Sequence, residues 1–405
     1  MYYVKKFFKF IGIMLLIILI LLVLAVAGIF VYHRVKESKD LELMKANGYY
    51  EPVSVGDHSL NLVRYGGAED KHRIVALSGN GPSFPVEIKE LADSLTDEAA
   101  VYYLARPGYD GSDDVKDEMT VEYEVEQLRT ALQNAGVKAP YILLPHSFAS
   151  LPASYWVSKY PDEIEGLINL DGSPALAVSE EMMKEAEDEY QKEAGGKKLM
   201  KAMMKLGVAD VVPGMFFEEY DGYTDDEQEI SDAMGRMTFG SSAFFSELKN
   251  SPASMNATWN VLDPENKVPK VYVNVSYGFH TVEELEKFDP LSEYKINDLT
   301  EGFEGSDEER KKLAYEKELS IKKENFEHSV QPFVEKLGSC EVADLPGDHF
   351  DFYRVRREEC TRLIKDFLGR VENEKAEVNA EDTAAKTDKT DKKTAKKKSS
   401  KSKKS

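Results

Sequence analysis

Two cysteines in 405 residues, Cys340 and Cys360, are too few for a disulfide framework or a cysteine-ligated zinc site. No CxxC pair and no HExxH pattern occurs, so neither a redox dithiol nor a helical zinc hydrolase is indicated. Positive charge is scarce wherever a nucleic-acid surface would need it. The net charge is −21, and between Glu381 and Ser405 ten Lys face four acids, a local +6; removing that from −21 leaves −27 for the rest. So acidic a body argues against nucleic acid as a partner. From about Val371 onward large apolar residues are almost missing, and Lys alternates with Ser, Thr, Asp and Ala. Residues 371–405 are therefore expected as a disordered tail, because they cannot bury enough surface to fold. The same charge is compatible with a tether to anionic envelope polymers or lipid headgroups.

One feature is present in excess, a long apolar run. Phe10 to Tyr32 is 23 residues without a charge. At about 1.5 Å per residue it spans a hydrocarbon core of roughly 30 Å. Lys5, Lys6 and Lys9 precede it, whereas the basic residues that follow are diluted by Glu37 and Asp40. That asymmetry predicts residues 1–9 in the cytoplasm, a transmembrane anchor over 10–32, a stalk over 33–49 and an extracytoplasmic body. A cleaved signal peptide ending near Ala25-Val26-Ala27 is the alternative, but its apolar region is normally only about 7–15 residues.

From Tyr50 onward strands and helices alternate. Pro52–Tyr65 reads as a leading hairpin, and Arg73–Leu77, Ala100–Ala105, Tyr141–Leu144, Ile164–Leu170, Pro269–Val275 and Glu341–Leu345 read as strands. Amphipathic helices fall between them at Pro85–Leu95 and Thr120–Ala135, and a closing helix is expected over Arg354–Leu368. This spacing predicts an α/β fold with a mostly parallel sheet covered on both faces, whose working residues gather at the C-terminal strand ends. Two charged, helical insertions interrupt the pattern. The first, residues 173–265, contains Ser179–Leu206 with a break at Gly195-Gly196, Asp225–Met237 and Ser241–Asn250; the second runs over about 282–325.

The chemistry concentrates around Tyr141–Trp156. A short buried strand meets Pro145-His146-Ser147-Phe148-Ala149, and a helix-compatible run follows. A serine on so tight a strand-to-helix turn is lifted clear of the sheet, with the next N–H groups aimed at a developing oxyanion. Pro145 departs from the usual small residue at its position. The succession SGNGP, ARPGYDGS, PHSFA, GLINLDGSP and LPGDHF resembles the α/β-hydrolase superfamily over roughly Val53 to Leu368.

The resemblance implies an eight-stranded, mostly parallel sheet over residues 50–172 and 266–370, with residues 173–265 as a helical lid after the sixth strand. It implies Ser147 as nucleophile, His349 as general base, and the backbone N–H groups of Asn80 and Phe148 as oxyanion hole. The acid is less direct. Its usual place after the seventh strand holds Ser276-Tyr277-Gly278-Phe279-His280, with no carboxylate until Glu283 and Glu284. A minority of the superfamily, some haloalkane dehalogenases among them, places it after the sixth strand, where Asp171 stands. Asp171 is the expected acid, with Glu283 or Glu284 as the alternative.

The implied function is hydrolysis of a carboxylic ester, or an amide, through an acyl-enzyme, with no metal or organic cofactor. Dehalogenase chemistry would need a carboxylate where Ser147 stands. Two other readings are an aminopeptidase, whose acidic lid holds a substrate amine, and a non-catalytic binding or scaffold module at the cell surface. Arg106 reads as an anchor for its loop, and His146 either lines the site or faces inward. Cys340 and Cys360 are close enough in the expected fold for a disulfide, although two buried thiols pack as readily.

Overall fold

The computed structural model describes residues 2–68, 71–81, 84–217, 219–220 and 222–376. Eight strands form one sheet in the order β1-β2-β4-β3-β5-β6-β7-β8. They are β1 (Pro52–Ser54), β2 (Ser59–Gly66), β3 (His72–Leu77), β4 (Ala99–Leu104), β5 (Tyr141–Pro145), β6 (Ile164–Leu170), β7 (Lys270–Asn274) and β8 (Cys340–Asp344). β1 and β2 are antiparallel, and all pairings from β4 to β8 are parallel.

The strands are continuous apolar runs because both faces are covered. Along β3 and β5, Val75, Leu77, Tyr141 and Leu143 enter one core, while Ile74, Ala76, Ile142 and Leu144 enter the other. The first face is closed by α3 (Val121–Asn134) and α4 (Ser150–Lys159). Val121, Val125, Leu128 and Leu132 recur at helical spacing to make the buried stripe of α3, which Thr120 caps. The opposite face is closed by α2 (Phe84–Asp93) and by a helix over 357–376, in which Cys360, Ile364, Phe367 and Val371 form the equivalent stripe.

Between β6 and β7 stands the helical insertion expected as a lid: α5 (Glu180–Leu206), the short α6 (Val208–Val211), α7 (Asp225–Gly240) and α8 (Ser242–Val261). Two details differ from the sequence expectation. Gly195-Gly196 does not break α5, which runs unbroken for 27 residues. Both glycines are exposed and cost about 1 kcal/mol each relative to alanine, which the helix absorbs through its packing along α7 and α8. α8 runs on to Val261, accommodating Pro252 inside it. The second insertion folds as α9 (Val282–Phe288), α10 (Glu293–Leu299) and α11 (Asp307–Asn325), followed by a π-turn and α12 (Gln331–Leu337); the short α13 (Phe352–Val355) precedes the closing helix.

The N-terminal end also differs from expectation. The apolar run and the segment anticipated as a stalk form a single 45-residue helix, α1 (Tyr2–Ala46). Its apolar half is exposed, whereas Asp40 and Met44 are buried against the body. The expected tail begins later than 371, since residues 371–376 continue the closing helix and Lys375 reaches Glu165 at 2.6 Å. The remainder of that tail, 377–405, lies outside the described residues. Cys340 and Cys360 are both free thiols.

Replacing Gly195 and Gly196 with alanine should stabilise α5, since a methyl group at either position meets nothing within 4 Å. The expected gain is about 1 kcal/mol per site, read as slower amide hydrogen exchange along the helix.

Candidate active site

The C-terminal ends of β3, β5, β6 and β8 converge on Ser147. β5 lies at the centre of the sheet, between β3 and β6. Its ladder with β6 runs to Leu143↔Leu167 and resumes only as the bridge His146↔Leu170. Pro145, which has no N–H, sits in that gap. The chain then reverses at Ser147, whose φ of 53° lies in the left-handed region, and enters α4 through the turn Ser147–Ala149. The strained position is the serine itself, so the residue two before it needs no glycine freedom. The room comes from across the turn. A Cβ on Gly79 would lie 2.5 Å from the Ser147 Cβ, and one on Gly172 would lie 1.9 Å from Asn169 Oδ1.

His349, in the loop after β8, faces both neighbours. Its Nδ1 donates to Asp171 Oδ2 at 2.7 Å, and its Nε2 lies 3.0 Å from Ser147 Oγ. The carboxylate fixes the proton on Nδ1 and leaves the Nε2 lone pair facing the serine hydroxyl. Asp171 follows β6, also at a left-handed φ of 46°. Its Oδ1 accepts from the backbone N–H of Val275 at 2.9 Å and of Ser276 at 3.0 Å, and the Ser276 hydroxyl donates to Oδ2. Burial works against the Asp171 charge, but the bonds from His349 and Ser276 outweigh it and hold the carboxyl below its usual range. Glu283 is exposed, and Glu284 accepts from the N–H of His280 at 2.8 Å, so neither reaches His349.

Ser276 was not singled out from the sequence. It occupies the strand end at which the superfamily usually carries the acid, and here that position supplies donors to an acid on the neighbouring strand. His146, left open between lining the site and facing inward, takes the inward place. It stacks on Phe84 with centroids 5.3 Å apart and meets Tyr353 edge-on. Burial, and then the charge of His349, push it down to about 3. Neutral, it donates from Nε2 to the His349 carbonyl at 2.9 Å and braces the loop that carries His349.

On the other side of the serine, Gly79-Asn80 and Phe148 place their backbone at the mouth of the turn. Asn80 Oδ1 accepts from Arg106 Nη2 at 3.3 Å and Tyr109 Oη at 3.1 Å. Arg106 is fully buried. It donates to the carbonyls of Ser78 and Gly79 and grips Glu247 of the lid helix α8 at 2.7 and 3.1 Å. Burial disfavours its charge, but Glu247, Tyr109 and Glu124 outweigh that. Burial and the nearby Glu247 push the Glu124 carboxyl well up. Glu247 and Glu124 were not anticipated, because nothing local marks a contact spanning 141 residues of sequence.

Comparisons with known proteins agree on the fold. The family described as "alpha/beta hydrolase fold" matches residues 73–192. The uncharacterized protein YbdG of Bacillus subtilis (strain 168) is 35% identical over 153 residues, 37% of this chain. That stretch is 46% of the relative, so the chain spans about half the length of this curated protein. Among solved structures, DBJA (HIS-DBJA) superposes with a TM-score of 0.51 at 14% identity, covering 80% of this chain and 97% of its own. The haloalkane dehalogenase DatA from Agrobacterium tumefaciens C58 gives 0.49 at 13%, covering 79% and 96%.

Two outcomes are expected. Arg106→Ala leaves Glu247 buried with the Tyr109 hydroxyl but without its cationic partner and should cost about 3–5 kcal/mol in chemical denaturation. His146 binds a proton in the unfolded chain near 6.5 but only near 3 when folded, so it withdraws stability as pH falls between those values. His146→Gln should therefore flatten the fall of Tm across that window, whatever it does to the absolute Tm.

Proposed function

We propose, from the premise that this chain is a member of the α/β-hydrolase superfamily, that it is a serine hydrolase of carboxylic esters or amides. One observation carries the reading: the continuous hydrogen-bond chain Ser147–His349–Asp171 at a left-handed elbow. In this reading Ser147 Oγ attacks the substrate carbonyl while His349 Nε2 takes its proton. The oxyanion is held by the N–H groups of Asn80 and Phe148, the latter opening a helical turn whose dipole favours negative charge. The tetrahedral adduct collapses, and His349 returns the proton to the departing alcohol or amine. Water then attacks the acyl-serine by the same route and frees the acid. Asp171 keeps the imidazole oriented and stabilises its protonated form throughout.

The neighbouring dehalogenase structures support the fold alone. Displacement of a halide from an alkyl carbon calls for a carboxylate nucleophile, and Ser147 stands at that place. We further infer that residues 10–32 span a membrane and that the catalytic body lies on its extracytoplasmic side, supported by the exposed apolar half of α1 and the distribution of lysine around it. Residues 173–265 act as the lid.

A fluorophosphonate probe applied to the folded protein tests the central claim. Labelling is expected on wild type and absent from Ser147→Ala; an unlabelled wild type would remove the enzyme reading in favour of a binding module. Asp171→Asn should lower kcat for a p-nitrophenyl ester by about 10⁴-fold, as loss of the correct tautomer does elsewhere. Glu283→Gln and Glu284→Gln together should leave it near wild type.

A further inference from the structure

The lid is fastened to α1 at the level where the apolar run ends. His33 Nδ1 lies 2.6 Å from Asp210 Oδ2, and the backbone of Gly207 packs directly against the His33 side chain. About two helical turns further along α1, Arg236 of α7 joins Asp40 at 2.6 Å and Asp210 at 2.8 Å, all three side chains buried. Phe30, His33, Met204 and Lys205 line one cavity of about 470 Å³, so the last turn of the apolar run and the end of α5 stand at the same height.

What the lid shows at that height is apolar. Leu199 and Leu206 of α5 are 60% and 41% exposed, with Met203 between them on the same helical face. Immediately past Asp210, Val211, Val212 and Met215 are 53%, 40% and 75% exposed. Charge follows the same axis. The far half of α5, residues 180–193, carries seven acids and two Lys, whereas 197–205 carries four Lys and no acid. Within a body as acidic as this one, the only end of the helix that turns basic is the end beside His33.

We propose that this face, Leu199–Leu206 together with Val211–Met215, docks into the headgroup and outer acyl region of the bilayer that α1 spans, with lysines 198 and 205 toward anionic lipid. The inference rests on the membrane-spanning reading of residues 10–32. Its physical basis is continuity. The His33–Asp210 bond leaves Val211 one residue from a lid group tied to the helix at the membrane boundary, and apolar side chains with a basic rim suit an interfacial segment. The lid would then be part of the membrane contact, making the chain a two-point membrane protein.

Depth-dependent quenching tests it on the full chain in vesicles. Single Trp substitutions are made at Ile20, inside the apolar run, and at Met215, with the unsubstituted chain giving the background from Trp156 and Trp259. Acyl-chain spin-labelled phosphatidylcholine is the quencher. The expected result is quenching of Ile20→Trp by deep labels and of Met215→Trp by shallow labels, with a blue-shifted emission for the latter. Quenching at position 20 with none at 215 would overturn the docking and leave the anchor standing. No quenching at either position would overturn the anchor, and the docking with it. Replacing part of the phosphatidylcholine with phosphatidylglycerol should deepen quenching at 215, and Lys198→Glu/Lys205→Glu should reverse that gain. Equal quenching in both lipids would remove the lysines from the proposal.

Discussion

A single buried guanidinium holds the two halves of the site in register. Arg106 leaves the end of β4 and ties the carbonyls of Ser78 and Gly79, the side chain of Asn80 and the lid carboxylate of Glu247 into one network. Buried ion pairs contribute little net stability but are costly to break. Here the bonds enforce geometry: the loop in front of Ser147 cannot move without giving up the guanidinium's bonds to Ser78, Gly79 and Asn80. Glu124 is buried beside it, and burial together with Glu247 pushes its carboxyl up. The insertion's last helix is thereby bolted to the sheet through Glu247, while α6 and α7 are tied to α1 through Asp210 and Arg236.

The serine is served by a division of labour among neighbouring strand ends. β5 leads into the strained Ser147, β6 into Asp171, β7 into the donors that hold the Asp171 carboxyl below its usual range, and β8 into His349. The left-handed conformations at Ser147 and Asp171 are stored strain of the kind that persists only where surroundings over-determine it. At Ser147 the surroundings are Gly79 and Ala149; at Asp171 they are the backbone N–H groups of Val275 and Ser276. A proline before the elbow is compatible with all of this, because β5 needs no ladder donor there.

Much of this was legible in the sequence because it is local. Strands buried on both faces read as unbroken apolar runs, helices as stripes, and the turns SGNGP, PHSFA, LDGSP and PGDHF fall at strand ends in order. Those settings, through the resemblance they carry, pointed to Ser147 and His349, and to Asp171 with Glu283 or Glu284 as the alternative. What could not be read were relationships between distant segments. Glu247 sits in a helix otherwise full of polar residues, and only folding shows it to be fully buried against Arg106. The glycine pair in α5 looked like a break because propensity is local, whereas the packing along α7 and α8 that sustains the helix is not. The lysine- and glutamate-rich segment after Tyr32 looked like a free stalk because its partners, Asp210, Glu229 and Arg236, are nearly two hundred residues away.

That last contact changes what kind of tether α1 is. A flexible linker of the length of residues 33–46 would let a domain wander by roughly 20 Å about its attachment point. An unbroken helix clamped along its side permits no such excursion. In the membrane-anchored reading, Ser147 is therefore a reagent held at one altitude above the lipid. Molecules within the surface layer meet it at a constant depth and orientation, and discrimination among them begins with how far a scissile bond protrudes, before any side chain in the pocket is touched.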